Sequence, residues 1–151
     1  VSKNGNLCLN IPQKPDGTLD DECGFLLKQM AEWMKSNGEG LFRSRPWEVS
    51  GEGPSTSQGG AFREDAVGWT PDDFRFTRNG DTLYAYQMAR SANDYATIRS
   101  LALGKTRRVA GVRMLGHGPV AFSQAADGLK LTLTHGAPEI SGPQGFAVTQ
   151  E

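Results

Sequence analysis

The stretch that decides the fold covers residues 74–88 and reads FRFTRNGDTLYAYQM. Apolar and polar residues alternate over 74–77, which is the period-two pattern of a half-buried strand. Asn79-Gly80 follows, a dipeptide that favours the two-residue turn of a β-hairpin, and a second strand is predicted over 82–88. The sequence therefore predicts an antiparallel hairpin in the middle of the chain.

Further short strands are predicted after this hairpin. The clearest covers 128–134, where Leu129, Leu131 and Leu133 alternate with polar residues, so that one face is wet. Other strands are predicted over 96–101, 109–115, 119–123 and 146–148. Several short strands at regular spacing are typical of a sandwich, and we predict an antiparallel β-sandwich over residues 72–151.

The first part of the chain has a different pattern. Residues 6–11 are mostly apolar and end at Pro12, which predicts a strand buried on both faces. A loop follows, and then a helix is predicted over 21–36, with Thr18 and Asp21 as a capping box. An apolar stripe along this helix consists of Leu26, Leu27, Met30, Trp33 and Met34. Strand, loop and helix together form a βα unit.

One strand buried on both faces and one amphipathic helix cannot form a domain by themselves, because their apolar faces need partners. The segment that follows this βα unit is rich in Gly, Ser, Pro and Glu, and we interpret 48–71 as a connection between two structural units. The sequence thus predicts a mostly β chain. Residues 1–47 would be the last strand-loop-helix unit of a larger α/β domain, and a β-sandwich would be attached to it.

Composition excludes several classes of function. The 151 residues are 37% hydrophobic and 22% charged, with a net charge of −1, so no nucleic-acid partner is predicted. No apolar run approaches the roughly 20 residues that span a bilayer, so no membrane partner is predicted. Cys8 and Cys23 match neither a disulfide framework nor a zinc site, and we expect two buried thiols. Neither a metal nor a cofactor is expected.

The chain begins at Val1 and shows no charged-then-apolar signal segment. We therefore expect a processed, excised or truncated chain. Its localisation is left open by the sequence.

Several motifs, taken in order, resemble glycoside hydrolase family 29, the retaining α-L-fucosidases. They are Ser2-Lys3-Asn4-Gly5-Asn6-Leu7 with Leu9-Asn10-Ile11-Pro12 and Asp16-Gly17, Asn37-Gly38-Glu39, Arg45-Pro46-Trp47, Gly51-Glu52-Gly53-Pro54, 73–77, 80–85 and Asp127-Gly128-Leu129. The resemblance weakens after about Ala137. Cys8 departs from the family, which usually has an aliphatic residue there.

The resemblance implies a TIM-type (β/α) barrel followed by a β-sandwich. Active sites of such barrels lie at the carboxyl ends of the strands, so Asn10, Pro12 and Asp16 would lie on the substrate side of the rim. Arg45 and Trp47 would lie between barrel and sandwich. The implied substrate is a fucosylated glycan, and secreted, periplasmic or lysosomal compartments are those the family suggests.

Retaining glycosidases need a nucleophile and an acid/base, two carboxyl groups about 5 Å apart. The resemblance puts both in an upstream segment, so no catalytic residue is expected in this chain. Asp20, Asp21 and Glu22 are explained by a helix N-terminus. Glu52 could contact substrate or stabilise a turn, and we expect the turn. His117 and His135 are interpreted as surface turn residues.

Two alternatives remain open from the sequence. One is an independent carbohydrate-binding sandwich, which requires an exposed row of aromatic side chains and leaves the βα unit unexplained. Trp69, Tyr84 and Tyr86 are the candidates for that row, although packing in the core is expected for them. The other is a small oligomeric fucosidase that rebuilds a site from several copies of the chain.

Overall fold

A computed structural model describes residues 1–55, 68–133 and 142–151. These residues contain one α-helix, α1 (Asp21–Asn37), which continues into a 3₁₀ turn (Gly38–Gly40). A second 3₁₀ turn covers Arg99–Leu101. The strands are β1 (Arg45–Glu52), β2 (Phe74–Asn79), β3 (Thr82–Gln87), β4 (Tyr95–Ile98), β5 (Val109–Met114), β6 (Gly118–Pro119), β7 (Phe122–Ala125), β8 (Gly128–Thr132) and β9 (Gln144–Gln150).

The strands form two antiparallel sheets. The larger sheet has the order β1-β2-β3-β9-β5-β6, and the smaller has the order β4-β8-β7. The hairpin of β2 and β3 turns at Asn79–Thr82, with Gly80 at φ +57°, as the Asn-Gly pair predicts. The predicted antiparallel β-sandwich is confirmed.

The core lies between the two sheets. In β2, Phe74 and Phe76 point inward and are fully buried, and in β9 Phe146 and Val148 do the same. The smaller sheet contributes Leu129, Leu131 and Ile98, also fully buried. The period-two pattern of the sequence therefore determines which side chains fill this core.

The opposite face of the larger sheet is also buried where the end of α1 lies on it. Tyr84 and Tyr86 of β3 form a second apolar cluster with Leu115 and Ala147. Trp33 of α1 packs on this cluster, with its ring centre 5.9 Å from that of Tyr86. Strand β3 is thus covered on both faces, and the two tyrosines are only 7% and 4% exposed.

Three predictions about the first half of the chain need correction. No strand forms over 6–11, because a parallel strand needs hydrogen-bonding neighbours and none of the described strands pairs with it. The helix is capped by Asp20, whose carboxylate accepts from the Cys23 amide at 2.6 Å, and not by Thr18. Within the region interpreted as a connection, residues up to Glu52 belong to β1, which pairs with β2.

The sandwich strands follow the predictions, with differences in their bounds. The strand predicted over 128–134 ends at Thr132, with Thr134 outside the described residues, and the one predicted over 146–148 is longer, Gln144–Gln150. The strand predicted over 96–101 ends at Ile98, and the 3₁₀ turn Arg99–Leu101 takes its last residues. The strand predicted over 119–123 is split into β6 and β7. Within the described residues, no helix combines the length and the apolar character needed to cross a bilayer.

Candidate functional site

A groove of about 680 Å³ with a mostly apolar lining lies between α1 and the amino-terminal segment. Its walls are formed by the predicted helix stripe and by Leu7, Leu9 and Ile11 of that segment. Several of these side chains are open to solvent: Leu7 is 78% exposed, Leu26 53% and Met30 43%. Side chains of this kind gain free energy when another apolar surface covers them.

The three predicted rim residues do not all belong to this groove. Asn10 and Pro12 line it, next to Leu9. Asp16 is outside the lining, and its carboxylate accepts from the Thr18 amide at 2.9 Å and the Thr18 hydroxyl at 2.7 Å. These hydrogen bonds hold the pKa of Asp16 below its ordinary value. The structure therefore gives Asp16 a turn-stabilising role.

A polar joint connects the carboxyl end of α1 to the larger sheet. It is centred on Asn37, which is 1% exposed. The Asn37 side-chain nitrogen Nδ2 donates to the Trp33 carbonyl at 3.2 Å, and its side-chain oxygen Oδ1 accepts from the backbone amide of Gly145 in β9 at 3.0 Å. The Asn37 carbonyl accepts from the Tyr86 hydroxyl at 2.7 Å. One buried asparagine is thus hydrogen-bonded to the helix and to two strands.

Further contacts extend this joint along the 3₁₀ turn. The Thr77 hydroxyl donates to the Gly40 carbonyl at 2.5 Å, and Glu39 pairs with Arg113 of β5 at 2.6 Å. Burial raises the pKa of Tyr86 well above its ordinary value, so its hydroxyl stays protonated and can donate to Asn37. The sequence analysis used Asn37-Gly38-Glu39 only as a family motif, because the strand partners of Asn37 are distant in sequence.

The indole of Trp33 adds a hydrogen bond to the same joint, donating from Nε1 to the Pro143 carbonyl at 2.7 Å. We expect Trp33→Phe to lower the free energy of unfolding by about 1 kcal/mol, because a half-buried carbonyl loses its donor while most of the ring packing is kept. Urea denaturation is the measurement. An unchanged midpoint would show that solvent replaces the indole at no cost.

The acidic cluster at the start of α1 is accounted for by helix capping. Asp20 is the cap, and the hydrogen bond from Cys23 lowers its pKa. Asp21 and Glu22 lie in the first turn, where the helix dipole favours negative charge. All three residues are exposed, and none lines the groove.

Glu52 joins the two sheets. Its two carboxylate oxygens accept from the backbone amides of Arg99 at 2.7 Å and Ser100 at 2.6 Å. These amides begin the 3₁₀ turn after β4, where they have no partner inside the turn. The turn-stabilising interpretation of Glu52 is thus supported by the geometry.

We expect Glu52→Gln to lower the free energy of unfolding by about 1 kcal/mol, because the neutral amide keeps one acceptor and places a donor against the second backbone amide. Thermal unfolding followed by circular dichroism measures the effect. Glu48→Gln is the matched control, since Glu48 is exposed on the same strand. Equal losses in both variants would contradict the capping role.

Arg45 and Trp47 lie at the start of β1. The Trp47 ring packs edge-on against Phe76, with ring centres 5.2 Å apart, as part of the sandwich core. Arg45 is exposed and donates to the neighbouring Ser44 carbonyl at 3.0 Å. Neither residue lines the groove. Their place between a barrel and the sandwich stays a prediction.

The remaining candidates have structural surroundings. Tyr84 and Tyr86 are buried, and Arg75 lies over the Trp69 ring at 4.8 Å, so these three aromatic residues form no exposed row. Cys8 is exposed and Cys23 half-buried, which corrects the expectation of buried thiols. His117 is an exposed turn residue, whereas His135 lies outside the described residues.

Across residues 1–55, 68–133 and 142–151, no three His, Cys, Asp or Glu side chains lie together in a way that could hold a metal ion.

The described chain is a β-sandwich with one helix joined to it by buried hydrogen bonds. The apolar face of that helix is not covered by any other part of the described chain. Such a face is typical of one unit of a multi-domain protein. Comparisons with known proteins identify the family.

Residues 1–39 match the sequence profile described as alpha-L-fucosidase. Plasma alpha-L-fucosidase of Pongo abelii is 30% identical over 122 residues, which are 78% of this chain and 22% of that protein. Tissue alpha-L-fucosidase of Mus musculus is 28% identical over 151 residues, covering 99% of this chain and 29% of that protein. The chain thus spans less than a third of the length of these relatives.

A solved structure shows the same fold. The Thermotoga maritima alpha-fucosidase in complex with a mechanism-based inhibitor superposes with a TM-score of 0.73 at 23% identity, covering 99% of this chain and 31% of that one. The sequence matches place this chain in the α-L-fucosidase family, as a fragment equivalent to about a third of its relatives.

Proposed function

We propose that the chain is the C-terminal portion of a retaining α-L-fucosidase that hydrolyses terminal α-L-fucose from glycans. Residues 1–44 complete a TIM-type catalytic barrel, and the sandwich consists of β1, which pairs with β2, together with residues 72–151. The nucleophile and the acid/base belong to an upstream barrel segment. This chain supports the site and contributes Asn10, Pro12 and the turn that contains Asp16 to the substrate side of its rim.

One observation carries this proposal: the region with the fucosidase profile match, residues 1–39, is also the region with the uncovered apolar groove. The extended segment with Leu7 and Leu9 has the composition of a buried parallel strand but no strand partner within the described chain. An upstream barrel would supply both the missing strands and the missing cover. Relatives more than three times as long have room for such a barrel.

The polar joint gives the sandwich its role in this proposal. Asn37 and Trp33 tie the end of α1 to strands β3 and β9 through side chains that are buried or half-buried. A helix held in this way keeps its orientation while its other face packs on the barrel. The sandwich would thus stabilise the last barrel helix without entering the active site.

The activity test uses a fluorogenic aryl α-L-fucoside and mass-verified protein. The 151-residue chain is expected to give no enzymatic turnover, because cleavage needs a nucleophile and a proton donor, and the family resemblance puts both in the upstream segment. Full-length protein containing the upstream segment is expected to be active. Turnover by the short chain that is abolished in an Asp16→Asn, Asp21→Asn double variant would overturn the assignment and favour an oligomeric site.

The groove test asks what covers the apolar face. The short chain is expected to bind a dye specific for exposed apolar surface, and Leu26→Asp to reduce this binding strongly. Leu103→Asp is the control, because Leu103 is 54% exposed away from the groove. In the full-length protein the dye signal should disappear, and there Leu26→Asp should destabilise. Dye binding that persists in the full-length protein would contradict barrel packing.

The apolar groove could instead be covered by a second copy of the chain. Sedimentation at several concentrations distinguishes it: a discrete dimer lost in Leu26→Asp but kept in Leu103→Asp would favour the copy over the barrel.

A further inference from the structure

A second pocket lies on the sandwich, far in sequence from the groove and sharing no lining residue with it. Its volume is about 520 Å³. It is bounded by the residues before β2, the loop after β3, the start of β4 and the turn between β7 and β8. Its polar and aromatic lining includes Asp72, Ser91, Asn93, Tyr95, Arg99 and Asp127.

The walls of this pocket are held by hydrogen bonds on several sides. The buried Gln87 side chain donates to the Pro71 carbonyl at 2.8 Å, and the Met88 amide donates to the Asp73 carbonyl at 2.8 Å. The backbone at Arg99 is fixed by Glu52, as described above. Across the loop, the Asn93 amide donates to the Ser91 hydroxyl at 3.0 Å. The pocket is therefore largely pre-formed, as ligand sites usually are.

Several charged side chains that line the pocket make no hydrogen bonds or ion pairs with other described residues. Within the described residues, no hydrogen bond or ion pair engages the side chains of Asp72, Arg99 or Asp127. Tyr95 is 46% exposed, and its ring is held by the Lys130 ammonium at 4.2 Å from the ring centre. The half-exposed Tyr95 ring, with Lys130 over one of its faces, thus lines the pocket beside planar carboxylate, amide and guanidinium groups.

This combination selects the chemistry of a ligand. Carboxylate and guanidinium groups hydrogen-bond pairs of adjacent hydroxyls, and an aromatic ring covers the C–H face of a sugar ring. The carboxylates of Asp72 and Asp127 are balanced by Arg99 and by Lys130 at the Tyr95 ring, so these groups carry no excess charge that would favour an ion. The described acidic residues are not clustered as a metal site requires. A neutral polyol satisfies these groups better than either kind of ion.

We infer that this pocket is a non-catalytic binding site for a neutral monosaccharide unit of a glycan, with Tyr95 as its stacking surface and Asp127 and Arg99 as its hydrogen-bonding groups. Such a site would hold a glycan chain on the sandwich. It goes beyond the proposed function, and because it shares no residue with the groove, either can fail without the other.

The test is a titration of the isotope-labelled 151-residue chain with fucose, galactose and N-acetylglucosamine, followed by amide chemical shifts. Saturable shifts are expected at Asn93, Tyr95 and Arg99 for at least one of these sugars, with an affinity in the millimolar range. Tyr95→Ala and Asp127→Asn should each weaken that affinity about tenfold or more. Leu103→Ala, also at an exposed apolar position, should not change it.

Asp127→Asn keeps a side chain suited to the β7–β8 turn, so it tests recognition without refolding the turn. The amide spectrum of each variant verifies its fold. The absence of saturable shifts at these amides with all three sugars would overturn the inference. Tighter binding of glucuronic acid than of any neutral sugar would also overturn it, since the pocket would then be selecting an anion.

Discussion

Gly40→Ala is expected to lower the free energy of unfolding by about 3 kcal/mol. A Cβ atom on Gly40 would lie 2.6 Å from Cγ of the Tyr84 ring and against the Tyr86 hydroxyl. Both tyrosines are buried between α1 and the larger sheet, so neither ring has space to retreat. The substitution would therefore force the 3₁₀ turn away from the sheet and strain the Thr77 hydrogen bond to the Gly40 carbonyl.

The measurement is thermal unfolding, where this loss corresponds to a decrease in Tm of about 10 °C for a chain of this size. Gly24→Ala is a matched control, because Gly24 lies in α1 with nothing within 4 Å of its added Cβ. Alanine favours helix over glycine by about 1 kcal/mol, so this control should raise Tm slightly. If both variants unfold at the wild-type temperature, the helix end is not packed on the tyrosines.

Asp73→Ala is expected to cost about 3 kcal/mol as well, because Asp73 is a buried acceptor for several donors. The Asp73 carboxylate accepts from the Thr70 amide at 2.7 Å and hydroxyl at 2.8 Å, and from the Ser55 amide at 2.9 Å and hydroxyl at 2.8 Å. These bonds hold the residues after β1 against those before β2. Removing the acceptor leaves four donors to find new partners.

The same carboxylate predicts a dependence of stability on pH. Burial alone raises the pKa of Asp73, but the hydrogen bonds from Thr70 and Ser55 outweigh it and hold the pKa at about 2. Because this pKa is below the 3.8 of an unfolded aspartate, the stabilisation of about 2 kcal/mol is complete above about pH 4. It is lost as pH falls through about 2.

Urea denaturation between about pH 5 and pH 2 measures this contribution. Asp73→Asn should be less stable than wild type at pH 5, and the difference should shrink toward pH 2 because the asparagine does not titrate. Asp72→Asn is the control, since Asp72 is exposed next to it in sequence. A constant difference between wild type and Asp73→Asn over this range would contradict the assigned pKa.

Much of the sandwich was predictable because its signals are local. Asn79-Gly80 sets the hairpin turn, and the alternation in β2 and β8 sets which side chains point inward. The extent of α1 was predicted to within one residue at its carboxyl end for the same reason. Its cap was assigned incorrectly, because Thr18 and Asp20 both have the right chemistry and only the backbone conformation selects Asp20.

The candidate groove was partly predictable. The sequence identified its helix stripe and the apolar segment around Leu9, and concluded that they need partners. It did not predict that the Asp16 carboxylate accepts from Thr18, because these hydrogen bonds depend on the conformation of the loop. Nor did it foresee β1, since Pro46 and the Gly-Glu-Gly sequence around Glu52 are unusual in strands.

The sequence by itself determined the strand pattern, the hairpin, the helix and the family resemblance, since each depends on residues close together in the chain or on ordered motifs. Only the tertiary structure decided that Tyr84 and Tyr86 are buried, that Asn37 joins helix to sheet, and that Glu52 and Asp73 hold distant loops. The alternation of side chains along β3 puts Tyr84 and Tyr86 on the face of the sheet that points away from the sandwich core. These side chains are buried only because α1 lies on that face. A buried hydrogen bond likewise depends on groups that only the folded chain brings together.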